Sequence, residues 1–198
     1  PHPTTDRLGS LDPGALGKAD PLLDLGDVVR ESLVAGDNFG RFSAFAGLRG
    51  AELSRLDWKA VDMDRRIIHL RAGQAKTASR RIVPISDNLA AWLDLVQNRE
   101  GPVITEKVLS RKAINLAKSL GLSWPNNVLR HSYISCRLAT LQDANQVARE
   151  AGNSPAIIFR HYRELVTEEA ASKWFGITPP DGWVPPEEKR QRRRKGKK

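Results

Sequence analysis

The sequence has 198 residues, 40 % of them apolar and 28 % charged, and carries a net charge of +9. That is enough chain to bury one core, and it holds no apolar run of about 18 residues that would cross a membrane. A single cysteine, Cys136, excludes an intrachain disulfide framework, and the four histidines lie at no ligand spacing, so no metal site is expected. The charge is uneven: from Glu187 to Lys198 eight basic and two acidic residues concentrate +6 at one end. Such a stretch attracts nucleic acid by displacing counterions from phosphates, or else lies solvated without a partner.

In chain order, residues 1–27 are rich in Pro, Gly and Asp and lack periodicity, which reads as a linker or the remnant of an upstream segment. Residues 1–21 show no basic start, apolar block and small-residue cleavage site, so no signal peptide is expected. Val28 to Ala46 reads as helix, interrupted near Gly36 to Gly40, and Arg49 to Leu56 as a further turn or two. Arg66 to Arg71 and Arg80 to Ile85 read as two strands of a hairpin joined by the polar stretch Ala72 to Ser79. The rest is helical. Ser86 and Asp87 can cap Asn88 to Arg99, and helices follow over Thr105 to Ser119, Val128 to Thr140 and Asp143 to Glu150. Ser154-Pro155 opens another helix, Thr167 caps Glu168 to Phe175, and Pro179 to Pro186 ends regular structure. The fold class is therefore α+β, a mainly helical domain over residues 28–178 with a small antiparallel β-sheet, followed by a Pro-containing, polybasic tail over 179–198.

Four stretches hold reactive side chains that packing alone explains poorly. In Gly47-Leu48-Arg49-Gly50-Ala51-Glu52, Arg49 stands at a helix start, where a guanidinium gains from a bound anion; the plain alternative is a surface arginine paired with a carboxylate. The hairpin connection offers Lys76, followed by Arg80 and Arg81. On the helix after Asn127, Leu129, Tyr133, Cys136 and Thr140 form a stripe expected to face the core, and Arg130 emerges beside it near the helix N-terminus. The fourth stretch runs from Gly152-Asn153 through Arg160 and His161 to Tyr162, one of two tyrosines in the chain. Taken singly, each is as compatible with solubility or packing as with chemistry.

Together, in order and spacing, these stretches resemble the tyrosine recombinases, or phage-type integrases, over about Val28 to Phe175. Gly47-Leu48-Arg49 with Glu52, Leu53 and Trp58 looks like the first arginine box of that family, and Lys76 before Arg80-Arg81-Ile82-Val83-Pro84 looks like its lysine segment. Asn127-Val128-Leu129-Arg130-His131 resembles the second box, usually His-x-Leu-Arg-His, and Tyr162 falls nine residues after Asn153, as the family nucleophile does after a Gly-His pair. The resemblance implies a DNA breaking-rejoining fold and transesterification through a 3′-phosphotyrosyl link, with neither metal nor cofactor. It implies Tyr162 as nucleophile, Arg49 and Arg130 as phosphate clamp and Lys76 as proton donor, with Glu52 and His131 in support. Arg80, Arg81 and Arg160 are expected DNA contacts.

The chain departs from the pattern at both accessory histidines, which are Asn127 and Asn153. A carboxamide hydrogen-bonds a phosphate oxygen but takes up no proton at neutral pH. Asn127 could orient phosphate or cap the helix carrying Arg130. The implied partners are double-stranded DNA and further copies of the chain, as a tetramer on paired sites, in the cytoplasm of a prokaryote or phage host. A helical DNA-clamping domain ordinarily precedes this part in the family, so the chain is expected to be a fragment or a reduced protein. Other readings are a degenerate recombinase that binds DNA without cutting it, a relaxing topoisomerase, and a helical interaction module whose basic tail contacts nucleic acid. The last predicts that Arg49, Lys76, Arg130 and Tyr162 lie far apart.

Overall fold

The computed structural model describes residues 21–34, 38–71, 80–104, 111–122, 124–162 and 166–184. Helix α1 (Pro21–Val34) begins with proline in its first turn, where the missing N–H would be unpaired in any case. Residues 21–27, expected to belong to the leading linker, are therefore helix. Helices α2 (Asn38–Ala46) and α3 (Gly50–Leu53) follow, then a 3-10 turn at Trp58–Ala60 capped by the Asp57 carboxylate, which accepts from Lys59 N at 2.9 Å.

The sheet has three strands in the order β1 (Val61–Asp62), β2 (Ile67–Leu70), β3 (Arg81–Pro84), all antiparallel. The sequence reading found β2 and β3; β1 has two residues, too few for alternation to register. Pairing sets Ile68 opposite Val83 and Leu70 opposite Arg81. Because side chains alternate along a strand, Arg81 and Val83 share the buried face with Ile68 and Leu70, and Ile82 points out. The register thus sends a guanidinium into the body.

Helices α4 (Asp87–Asp94), α5 (Arg111–Ser119), α6 (Val128–Leu141), α7 (Ala144–Ala151), α8 (Pro155–Tyr162) and α9 (Glu168–Phe175) complete the described residues. The expected cap at Thr167 forms, accepting from Ala170 N, and Asp143, expected as the first residue of its helix, is instead the N-cap of α7, accepting from Asn145 N and Gln146 N. Ser86 stands at the N-cap of α4 without a capping bond, its hydroxyl meeting Asn88 Oδ1 at 2.7 Å instead, and α4 stops at Asp94 rather than Arg99. The main core gathers Phe42, Phe45, Leu53, Ile68, Leu89 and Trp92 from α2, α3, β2 and α4. A smaller cluster joins α6, α7 and α8 through Tyr133, Ile134, Val147, Ala151, Ile158 and Tyr162.

The segment after α9 packs back on its own body. Trp174 Nε1 donates to Ala44 O at 2.9 Å, and Trp92 Nε1 donates to Ile177 O at 3.0 Å. The Trp183 ring meets Trp92 edge-on at 5.3 Å between centroids, with the Arg41 guanidinium over both. Regular structure does end before Pro179, but the chain remains part of the core layer as far as Trp183. Among the described residues no helix is long and apolar enough to cross a membrane.

Candidate active site

The C-terminal end of α7 organises the site. A helix leaves its last carbonyls without partners inside the helix, and its dipole makes that end negative. Here three successive carbonyls take three guanidiniums. Glu150 O accepts from Arg81 Nε at 2.9 Å, Ala151 O from Arg130 Nη2 at 2.7 Å, and Gly152 O from Arg49 Nη2 at 2.8 Å. The chain can turn there because Gly152 has φ +66°, and a Cβ on it would stand 2.9 Å from Arg81 Nη1.

Glu52 is the one carboxylate bonded to this trio. It accepts both Nη atoms of Arg81, at 2.7 and 2.8 Å, and also the Arg49 backbone N–H at 2.8 Å and Arg49 Nη1 at 3.3 Å. Burial pushes the Glu52 carboxyl up, but the bonds from Arg81 and the Arg49 backbone, with both positive charges, outweigh it and hold it below the usual carboxylate range. Arg81, expected among the DNA contacts, is buried and committed inward to Glu52 and α7. Arg80 and Arg160 are exposed. Helix α3 is a single turn, so its dipole contributes little to Arg49; Glu52 and the end of α7 position that side chain instead.

Arg130 is only 5 % exposed, whereas the sequence pattern placed it emerging beside the core seam. Its Nη1 donates to Gly47 O and its Nη2 to Ala151 O, so carbonyls and no carboxylate hold it. Burial, then the neighbouring Arg49 charge, lowers its pKa to about 10, while the Glu52 carboxylate and, less, the Tyr162 phenol pull the other way. Gly47 is required for this anchor: it has φ +62°, and an added Cβ would fall 2.3 Å from the Tyr133 ring. Along α6, Leu129, Tyr133 and Cys136 face inward as expected, but Ala139 rather than Thr140 continues the stripe.

Asn153 ties the two open guanidiniums together. Its Oδ1 accepts from Arg49 Nη2 at 2.7 Å and from Arg130 Nη2 at 3.2 Å. Two arginines from α6 and the loop before α3 therefore converge on one oxygen atom. Asn127 stands at the N-cap of α6 with φ 60°, a conformation that asparagine tolerates, and its exposed side chain makes no capping bond. Lys76 lies outside the described residues, as does the connection that carries it.

The two tyrosines differ sharply. Tyr133 donates its hydroxyl to Glu150 Oε2 at 3.2 Å, and burial, then the carboxylate, pushes its phenol far above the ordinary range. Glu150 is held in turn by Arg137 Nε at 2.9 Å and Gln146 Nε2 at 3.0 Å. Tyr162, 7 % exposed at the last turn of α8, has its hydroxyl 2.6 Å from His131 Nδ1, with the two rings stacked at 5.7 Å. Tyr162 lies near enough to Arg130 for a charge on its phenol to act on that guanidinium. His161 is exposed on the other side of α8. Among the described residues no group of His, Cys, Asp and Glu could hold a metal ion, and the buried Cys136 lies in the main core. The sequence reading missed the α7 carbonyls, the Gly47 anchor and the inward role of Arg81. The α7 stop at Gly152 was visible; that its carbonyls must find donors is the step that leads from it to the arginines.

The model of the phage integrase family matches residues 39–164, well over half of the chain and every site residue named above. The chain belongs to the phage integrase family. Its fold recurs in three solved structures. The first is XerA recombinase, 21 % identical with a TM-score of 0.56, the match covering 80 % of this chain and 62 % of that one. The second is the Tn1549 transposon integrase in complex with a circular intermediate DNA, 18 % identical with a TM-score of 0.51, covering 74 % and 61 %. The third is the integrase from mycobacterium phage Brujita, 14 % identical with a TM-score of 0.50, covering 83 % and 60 %. The chain spans about three-fifths of the length of each of them. No curated protein matches it.

Proposed function

We propose that this chain is the strand-cleaving and rejoining part of a site-specific DNA recombinase, acting on double-stranded DNA as a tetramer on paired sites. The observation that supports it most is the convergence of Arg49 and Arg130 on a single oxygen, with the Tyr162 phenol beside Arg130. In this reading the Asn153 carboxamide oxygen stands where a non-bridging phosphate oxygen would sit. Tyr162 Oη attacks the scissile phosphorus, the 5′-oxygen leaves with a proton from Lys76, and a 3′-phosphotyrosyl bond conserves the ester for rejoining. A transition state gathering charge on two oxygens is matched by two forked guanidiniums, whereas one ammonium would meet only one of them well.

The choice between the tyrosines follows from their surroundings. A phenolate forming at Tyr133 would face a carboxylate in a dry core, while one forming at Tyr162 would face a cation. Glu52 and Arg81 serve as the frame that holds Arg49, and Arg80 and Arg160 are exposed for the duplex. A nicked suicide duplex, drawn from a randomised pool and then used singly, should trap a covalent protein–DNA adduct with the native chain and none with Tyr162→Phe. Duplex binding without adduct by the folded native chain would instead favour a DNA-binding relative that has lost its chemistry, the reading that asparagine at positions 127 and 153 invites.

A further inference from the structure

The proposed reaction needs a group to take the tyrosine's proton, because a phenol with a pKa of about 10 is a poor nucleophile near neutrality. Asn127 and Asn153 cannot do it, since a carboxamide does not protonate there. The imidazole of His131 is a titratable group in hydrogen-bond contact with the phenol oxygen, at 2.6 Å. That distance is within the range expected of a nucleophile and its base.

We propose that His131 is the catalytic base that receives the Tyr162 proton at Nδ1 during strand cleavage and returns it on rejoining. The assignment rests on the recombinase reading above. With the neutral ring protonated at Nε2, Nδ1 accepts from the Tyr162 hydroxyl. As Oη bonds to phosphorus, the O–H proton passes to Nδ1 and the bond to the 5′-oxygen breaks, that oxygen taking its proton from Lys76. The ring becomes cationic as the phosphotyrosine forms, so charge is conserved, and the reverse step restores phenol and neutral imidazole. Three features hold the pair. His131 is fixed on α6 next to Arg130, whose guanidinium is anchored at Gly47 and Ala151. The rings are nearly parallel, 20° apart. Tyr162 is seated in the α6–α7–α8 cluster, so its hydroxyl has little room to wander from the ring.

The test uses the full chain and a trapped suicide duplex. His131→Gln keeps a hydrogen-bond acceptor but no proton uptake, and should slow adduct formation about 100-fold or more. His131→Ala should be slow and recover with added imidazole. When sulfur replaces the bridging 5′-oxygen the leaving group needs no proton, so Lys76→Ala should recover while His131→Gln stays slow. A native rate in His131→Gln, or its recovery on the sulfur substrate, would overturn the assignment while leaving the recombinase reading intact. A separate readout needs no DNA: the ¹⁵N resonance of His131 Nδ1 should move in Tyr162→Phe, and an unmoved signal would overturn the contact itself. An intact contact with no adduct from the native chain would overturn the recombinase reading, and the base with it.

Discussion

The two sides of the α7 C-terminus treat positive charge in opposite ways. On one side Arg81 meets Glu52 through two short bonds, both partners are buried, and the pair is closed. On the other side Arg49 and Arg130 bond separate carbonyls and share one amide oxygen; Glu52 meets Arg49 at 3.3 Å, and among the described residues no carboxylate is bonded to Arg130. The first arrangement is a strut. The second leaves a cation in a poor solvent, which is why the pKa of Arg130 falls to about 10. A drop of that size corresponds to a cost on the order of 3 kcal/mol at neutral pH, carried by the rest of the fold. Such a charge favours a bound anion, which in the proposed reaction is the phosphodiester.

Breaking the strut should have the largest effect. Glu52→Gln leaves Arg81 buried with no counter-charge, so urea unfolding should show a loss of about 3–5 kcal/mol at pH 7. The pH sign follows from Glu52's depressed pKa: its stabilisation is fully present above the usual carboxylate range and lost as pH falls through the folded value. Unfolding midpoints of the native chain should therefore fall on acidification, and the fall should be smaller in Glu52→Gln. Glu150, whose carboxyl is also held low against burial by Arg137 and Gln146, keeps the remainder.

On the open side, the proposed chemistry should suffer more than the fold. Arg130→Lys keeps a charge but not the fork, and adduct formation on the suicide duplex should drop about 100- to 1,000-fold. Equal rates would mean that the open guanidinium is not the clamp. Smaller again is the anchor beneath it. Gly47→Ala must accommodate a Cβ driven into the Tyr133 ring and a left-handed backbone, for about 1–3 kcal/mol of lost stability by thermal or urea unfolding. Smallest is Asn153→Ala, where water can take the place of the half-buried carboxamide oxygen, and the same measurement should move by no more than about 1 kcal/mol. If Asn153→Ala proved as costly as Glu52→Gln, the two sides would not differ as described.

Much of the layout was legible in the residues. Gly152, Asp143, Thr167 and the Ser154-Pro155 step marked helix ends that the structure keeps, because caps and glycine stops act within one turn of chain. The α1 start and β1 were not legible, one opening in a stretch whose Pro, Gly and Asp content reads as linker and the other being two residues long. Arg81 shows the same limit at the site. Next to Arg80 it reads as another exposed cation, and only strand register, which alternates faces residue by residue, turns it inward.

By itself, then, the sequence determined a helical α+β body, its helix boundaries and the order of the arginine, lysine, arginine and tyrosine stretches, since all of these depend on short-range pattern. Tertiary structure alone decided that three guanidiniums from distant stretches would end on successive carbonyls of α7, that Asn153 would bridge two of them, and that His131 rather than His161 would meet Tyr162. Those contacts join residues up to about a hundred positions apart. No local propensity specifies such pairings; they arise when packing of α6, α7 and β3 leaves buried donors and acceptors that must find one another.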